Sequence, residues 1–322
     1  AALVAQNNDS RGELPVVPDA GVSNAAISAV ERLTTGPVEW IVGARVDHHS
    51  IDPTETKGLA VNAPTNRKNA TSYNAGAVLH VTNLVSVRGN VGRAWRAPNL
   101  FELYADGPRI GEARYEVGDP SLLPERATEI DAGAEIASRM FRAQLSVFKN
   151  DVHDFIALQP TSEFRNQLRV YRHTQTRAEL RGIEASAELR PLPHLSVVGE
   201  YDGVRGTDKN ADEPLPWIPA SRLQAHVEVA GTRGRFAHAY ARTGVEHVSE
   251  KTRLATNEQP ADSYTLVSFG AGGETMWNGH AVRIDMAVKN ALNTKYKDFL
   301  NRYREFAFNP GRDISLRLSY DF

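Results

Sequence analysis

The chain has 322 residues, of which 41% are hydrophobic and 24% charged, with a formal net charge of -2 and no cysteine. That length predicts two domains or one large all-β unit, and a charge so near zero argues against a general nucleic-acid binder. The lack of cysteine removes disulfides, thiolate metal sites and a cysteine nucleophile. No apolar run approaches the roughly 18 residues of a membrane-spanning helix, but a transmembrane strand needs only about 9–11 residues with every second one apolar.

Residues 1–21 lack the basic start and long apolar stretch of a signal peptide and read as loop. Strands are then expected at 22–33, 38–50, 71–82 and 85–95. The segment "WRAPNLFELYADGPRIGEARYEVGDPSLLPE", rich in proline and glycine, interrupts the pattern over 95–125 and reads as a long irregular loop. Alternation resumes in "ATEIDAGAEIAS", where Ile130, Ala132, Ala134 and Ile136 stand against Glu129, Asp131 and Glu135. Further strands are expected at 126–137, 141–155, 178–190, 193–204, 218–230, 234–248, 262–275, 279–290 and 312–322. The last is the clearest: Ile314, Leu316, Leu318, Tyr320 and Phe322 share one face, and Asp313, Ser315, Arg317, Ser319 and Asp321 the other.

Connections alternate between short turns and long segments at 51–70, 96–125, 156–177, 205–217, 249–261 and 291–311. Tight turns at one end and long loops at the other define an antiparallel up-and-down transmembrane β-barrel. A sandwich would mix hairpins with crossovers. The charged faces agree, because Glu184, Glu188, Arg283 and Arg317 would be costly inside a small barrel and are solvated inside a wide one. A soluble sheet with one wet face stays open as an alternative.

Trp95-Arg96-Ala97-Pro98, Glu102-Leu103-Tyr104 and Asp119-Pro120 with Leu122 and Glu125 resemble the long extracellular loop of TonB-dependent outer-membrane receptors. "RAELRGIEAS" and "NALNTKYKDF" through to the terminal Phe322 are similar to the same family. The resemblance implies a C-terminal part of a receptor barrel, about thirteen of twenty-two strands with no plug domain, residues 1–21 being the remnant of an extracellular loop. It implies a place in the bacterial outer membrane and no enzymatic role. Its partners would be a metal ion or metal chelate, siderophore-like, outer-membrane lipid, and TonB with its inner-membrane complex acting through the plug. No nucleic acid and no resident cofactor are expected.

Candidate site residues gather at the mouth. Asp47, His49, Asp154 and His173 are carboxylates and imidazoles of the kind that hold zinc, copper or nickel, or they simply line a wet opening. Tyr104, Asp106, Arg109 and Tyr115 lie in the long loop and are candidates for ligand contact. Arg109 stands where related receptors, some associated with zinc, carry histidine, and its fork suits a carboxylate or an anionic chelate. The bland reading pairs it with Asp106 or Glu112. No histidine lies between Pro98 and Asp119, which argues against haem. There is no G-x-S-x-G, H-E-x-x-H or phosphate loop to support an enzyme. The alternatives to a receptor are a passive porin-like barrel and a soluble carbohydrate-binding sheet.

Overall fold

A computed structural model of the chain describes residues 1–11, 14–59, 63–256 and 258–321. The first half holds β1 (Ala2–Asn8), β2 (Asp19–Thr35), β3 (Val38–Thr54), β4 (Asn66–His80) and β5 (Val85–Arg96). A short helix α1 (Leu100–Tyr104) and two four-residue strands, β6 (Asp106–Arg109) and β7 (Arg114–Val117), follow. Next come β8 (Glu125–Ala137), β9 (Phe141–Arg165), β10 (Leu168–Leu192), β11 (Leu195–Asp208) and the two-residue β12 (Glu213–Pro214). The chain closes with β13 (Arg222–Arg233), β14 (Phe236–Val248), β15 (Tyr264–Trp277), β16 (His280–Lys289) and β17 (Asp313–Tyr320).

The seventeen strands among the described residues form one sheet. Every expected strand is present, and the long strands pair antiparallel in chain order, with β5 passing directly to β8 and β11 to β13. That meander is a partial barrel wall with the short turns at one rim and the long loops at the other. The Asn278-Gly279 turn has both residues at positive φ, 52° and 84°, as a tight two-residue hairpin turn demands.

Three expectations are corrected. The 95–125 segment is not wholly irregular, because α1, β6 and β7 lie within it. Residues 1–21 are not all loop, because β1 pairs with β2 from Ala2↔Ala26 to Asn8↔Ala20 and satisfies backbone groups that β2 would otherwise leave open. The segment 156–177 is not a loop either. It is the continuation of β9 and β10, each 25 residues long, closed by Asn166 and Gln167 at φ 49° and 64°. The turn chemistry is Asn-Gln rather than the strong Asn-Gly signal, and above the membrane neither face needs to be apolar, so alternation fades while the ladder goes on. The expected place of Phe322 on the apolar face lies outside the described residues.

The register sorts the two faces. Trp40, Ala77, Gly89, Ala132, Val147, Ile183 and Gly203 lie directly across from one another in a single apolar row. Three positions along, an odd number and so on the other face, Gly43, Asn74, Gly92, Glu129, Asn150, Leu180 and Gly206 form the opposite, mostly polar or small row. The apolar face meets lipid: Ile314, Leu316 and Leu318 are each about two-thirds or more exposed in the isolated chain. The other face lines the lumen and satisfies itself along the wall. Asn90 donates to Asp131 (3.0 Å), Asn150 to Glu129 (3.1 Å) and Tyr240 to Asp285 (3.0 Å). Phe148 lies over Gly182, where any Cβ would come within 2.3 Å of the ring.

A barrel wall has no sandwich core, so apolar packing concentrates at the mouth. One cluster joins Val17, Ala20, Ile51, Leu100, Leu103, Tyr104, Leu122 and Ile156, drawing the long loop onto β2, β3 and β9. A second joins Val152, Ala178, Leu215 and Ile218 beneath the β11–β13 connection.

Candidate functional site

The 95–125 segment is built outward from one arginine. Arg96, at the end of β5, donates to Glu102 through two nitrogens (2.8 and 3.0 Å) and to Glu125 through its Nε (2.7 Å). Glu102 sits in α1 and also accepts the Asn99 amide (2.8 Å), while the Asn99 side chain accepts the Glu102 amide (3.0 Å). This reciprocal capping box starts a helix too short to stand alone. Glu125, at the start of β8, accepts the Ile156 amide of β9 (2.7 Å). One guanidinium thus ties strand, helix and the next strand together. Gly118 completes the staple: its amide donates to the Ala105 carbonyl, and a Cβ there would meet the Leu103–Tyr104 backbone at 2.6 Å. The motif residues therefore hold the loop's shape.

Tyr104 belongs to this frame and not to a ligand surface. It is 1% exposed, and its hydroxyl donates to the Pro64 carbonyl at 2.5 Å. Burial, with the Asp52 charge nearby, pushes its phenol up to about 12. An aromatic residue in a loop reads the same from sequence whether it packs inward or faces a ligand.

Above the staple, β7 runs parallel to β10 from Arg114↔Arg169 to Val117↔Arg172. Its Glu116 is a buried carboxylate at the centre of a charged network. It is hydrogen-bonded to the His173 ring (2.9 Å) and faces Arg114 (3.2 Å) and Arg109 (3.5 Å). Burial alone would raise its pKa; the His173 hydrogen bond and the Arg114 charge outweigh that and hold the carboxyl below its ordinary range. Arg109 also faces Glu112 (3.7 Å) and lies over the Phe101 ring at 4.8 Å. Its contacts are long and its side chain is 35% exposed, so part of the fork faces solvent. Asp106 accepts from Tyr115 (3.0 Å) and Arg165 (3.1 Å), and Arg165 stacks on Tyr115 at 5.2 Å. The expected Arg109–Glu112 pair is present, and Asp106 pairs instead with Arg165.

The candidate metal ligands do not assemble. Asp47 is held by Arg45 (2.8 and 2.9 Å) and receives Trp95 at 3.4 Å. His49 packs edge-on to Trp95 at 6.4 Å. His173 is committed to Glu116, and Asp154 stands at φ 58° with its carbonyl accepting from Gln175 (2.8 Å). No group of three or more His, Asp or Glu able to hold a metal ion occurs among the described residues. The expectation that Asp47, His49, Asp154 and His173 form a bare-metal site, zinc included, is therefore corrected: Asp47 is engaged by Arg45, His49 by the Trp95 ring and His173 by Glu116, and they do not converge.

Sequence reasoning missed a second part of the mouth. A cavity of about 580 Å³ lies between residues 259–264 and 295–308. Lys295, Lys297 and Arg304 line it with Tyr264, Tyr296 and Phe308, and outnumber its two carboxylates, Asp262 and Glu305. The Tyr264 and Tyr296 rings lie 4.4 Å apart, and Tyr264 donates to Asp298 (2.7 Å). Lys297 sits over Phe308 at 5.1 Å. The signal was the "KYK" at 295–297, two cations flanking an aromatic in a long loop. Arg302, from the same connection, pairs with Glu112 of the 95–125 segment and lies over Trp217 at 5.4 Å, joining three loops.

An up-and-down sheet with an apolar outer face, a polar lumen and loops knitted over one rim defines a wide transmembrane β-barrel receptor wall. The chain belongs to the TonB dependent receptor-like, beta-barrel family, which matches residues 4–291. It crosses the outer membrane with strands; no helix among the described residues is long and apolar enough to do so. Heme/hemopexin utilization protein C from Haemophilus influenzae is 25% identical over 275 residues, covering 75% of this chain and 37% of that protein. Among solved structures, the copper transporter OprC superposes with a TM-score of 0.79 at 19% identity, over 93% of this chain and 48% of that one. BauA, the ferric preacinetobactin receptor from Acinetobacter baumannii, gives 0.69 at 19% identity, over 96% and 44%. The chain thus spans little more than a third of the curated relatives it matches and under half of these structures.

Proposed function

We propose that the receptor carrying this chain captures an anionic metal chelate, of siderophore type, at the loop mouth and passes it to the periplasm with energy supplied through TonB. The observation that carries this reading is the gathering of cations from separate loops around aromatic surface. Arg109 lies over Phe101, Arg302 over Trp217, and Lys295, Lys297 and Arg304 line one cavity with Tyr264, Tyr296 and Phe308. Guanidinium and ammonium groups suit the carboxylate or catecholate oxygens of a chelate, and aromatic faces suit its ring or backbone. The absence of a metal-ligand cluster among the described residues turns the reading from the bare ion toward the chelate. Asp106 and Tyr115, tied by Arg165, frame the same side of the mouth.

The test is uptake of ferric chelates of differing charge by cells making the full-length receptor. Arg109→Ala and Lys297→Ala should each lower uptake of an anionic chelate about tenfold, the worth of one charge-assisted contact, and His49→Ala should leave it unchanged. Uptake should stop in cells lacking TonB. Undiminished chelate uptake by the Arg109→Ala and Lys297→Ala receptors, with free-metal uptake lost in His49→Ala, would reverse the reading. Uptake independent of TonB would favour the porin-like alternative.

A further inference from the structure

The outer face of the barrel carries a cationic groove where its apolar band ends. On β9 the lipid-facing row rises through Phe141, Ala143, Leu145 and Val147 and then changes to Lys149. On β10 it rises from Leu189 through Ile183 and changes to Arg181; on β11 it passes Tyr201 and Gly203 and changes to Arg205. The register sets these three cations directly across from one another, Lys149↔Arg181↔Arg205. Like charges in that position repel, and a sheet that places three together without a counter-charge is destabilised.

The protein supplies only part of that counter-charge. Glu179 reaches Lys149 (3.1 Å) and Arg181 (2.9 Å), and Asp151 is taken by Arg177 (2.9 Å). Arg205 is exposed and has no ion pair or side-chain hydrogen bond among the described residues. Two further cations reach the same place from the 249–261 loop. Arg253 donates to the Gly206 carbonyl (2.6 Å) and the Thr207 hydroxyl (2.8 Å), and Lys251 faces the Pro219 carbonyl (3.4 Å). Together they enclose a groove of about 470 Å³ whose floor is Ile183 and Tyr201 of the apolar band and whose walls add the Ser221 and Ser249 hydroxyls; Glu250 is its single carboxylate.

We propose that this groove binds the phosphate of an outer-leaflet lipid, with the lipid's acyl chains lying on the apolar band below it. The groove faces outward, so nothing inside the lumen reaches it. It lies midway along the sheet, with paired strands on either side, so no edge strand covers it. Its chemistry is split at one height, with apolar floor below and above it hydroxyls and an excess of cations, Lys149 and Arg181 sharing the single Glu179 and Arg205 having no carboxylate. An amphiphile with an anionic head has that same split, and a soluble anion has no use for the floor. The bound phosphate would sit between Arg181 and Arg205 and relieve their repulsion, fixing the barrel's depth in the bilayer.

The experiment uses the full-length receptor purified in neutral detergent and measures lipid binding by native mass spectrometry. The probes are bis-phosphorylated lipid A, the same lipid with its phosphates removed, and inorganic phosphate as competitor. The phosphorylated lipid should bind at least about tenfold more tightly than the dephosphorylated form. Arg181→Gln with Arg205→Gln should remove that difference while the barrel keeps its resistance to heat in gel electrophoresis. Because the paired change leaves Glu179 with Lys149 alone, Arg205→Gln by itself serves as the second variant and should cost about tenfold. Equal binding of both lipid forms, or binding unaltered by either variant, would overturn the proposal. Displacement of the lipid by millimolar phosphate would overturn the lipid in favour of a free-anion site.

Discussion

Removing the guanidinium of Arg96 tests whether the family motif is a structural staple. Arg96→Ala leaves Glu102 and Glu125 without their shared cation; their side chains are 11% and 13% exposed. Breaking a buried pair costs about 3–5 kcal/mol and an exposed one about 0–1. Arg96 itself is 44% exposed, so the expected loss falls between, at about 2–3 kcal/mol. The loss should be local, because the barrel ladders do not depend on this residue. Hydrogen exchange in the full-length receptor reads it directly. The Asn99 and Ile156 amides, bonded to Glu102 and Glu125, should exchange about 30- to 150-fold faster, while amides of β14 and β15 keep their rates. Protection at Asn99 and Ile156 within threefold of the parent would refute the staple.

Gly118→Ala should displace the loop more severely than Arg96→Ala, since the added methyl has only backbone at 2.6 Å to push against; proteolysis between 105 and 121 would report it. Leu316→Arg places a charge on the lipid face and should cost about 2–4 kcal/mol near mid-membrane in urea unfolding from vesicles, whereas a neutral result would reverse the assigned facing. The Glu116 carboxyl is held below its ordinary value of 4.5, so the docking of β7 on β10 is fully supported above that pH and weakens as pH falls through the lowered value. Glu116→Gln should flatten that acid dependence, measured as exchange of the β7 amides between pH 6 and pH 3.

The membrane strands were legible because lipid enforces alternation: each of 314, 316 and 318 must be apolar whatever the loops do. Where lipid stops, the constraint stops, and the upper halves of β9 and β10 were invisible for that reason. The mouth was partly legible. Glu112 was legible as one of two alternative partners of Arg109, Asp106 being the other, but Glu116, buried between Arg114 and His173, carries no local signature, because its partner lies 57 residues away. His173 and Asp47 looked like metal ligands since residue type is all a sequence offers, and only geometry shows that each is already engaged. Lys295 and Lys297 went unread although their spacing around Tyr296 was plain.

The upper β9–β10 hairpin has a mechanical consequence. With β7 laddered to β10 and the Arg96 staple fixing its base, the 95–125 segment and the hairpin move as one stiff body. Such a body serves as an anvil. The 290–312 connection meets that body through Arg302, which pairs with Glu112 and lies over Trp217, so a ligand drawn to either loop would load the same anvil.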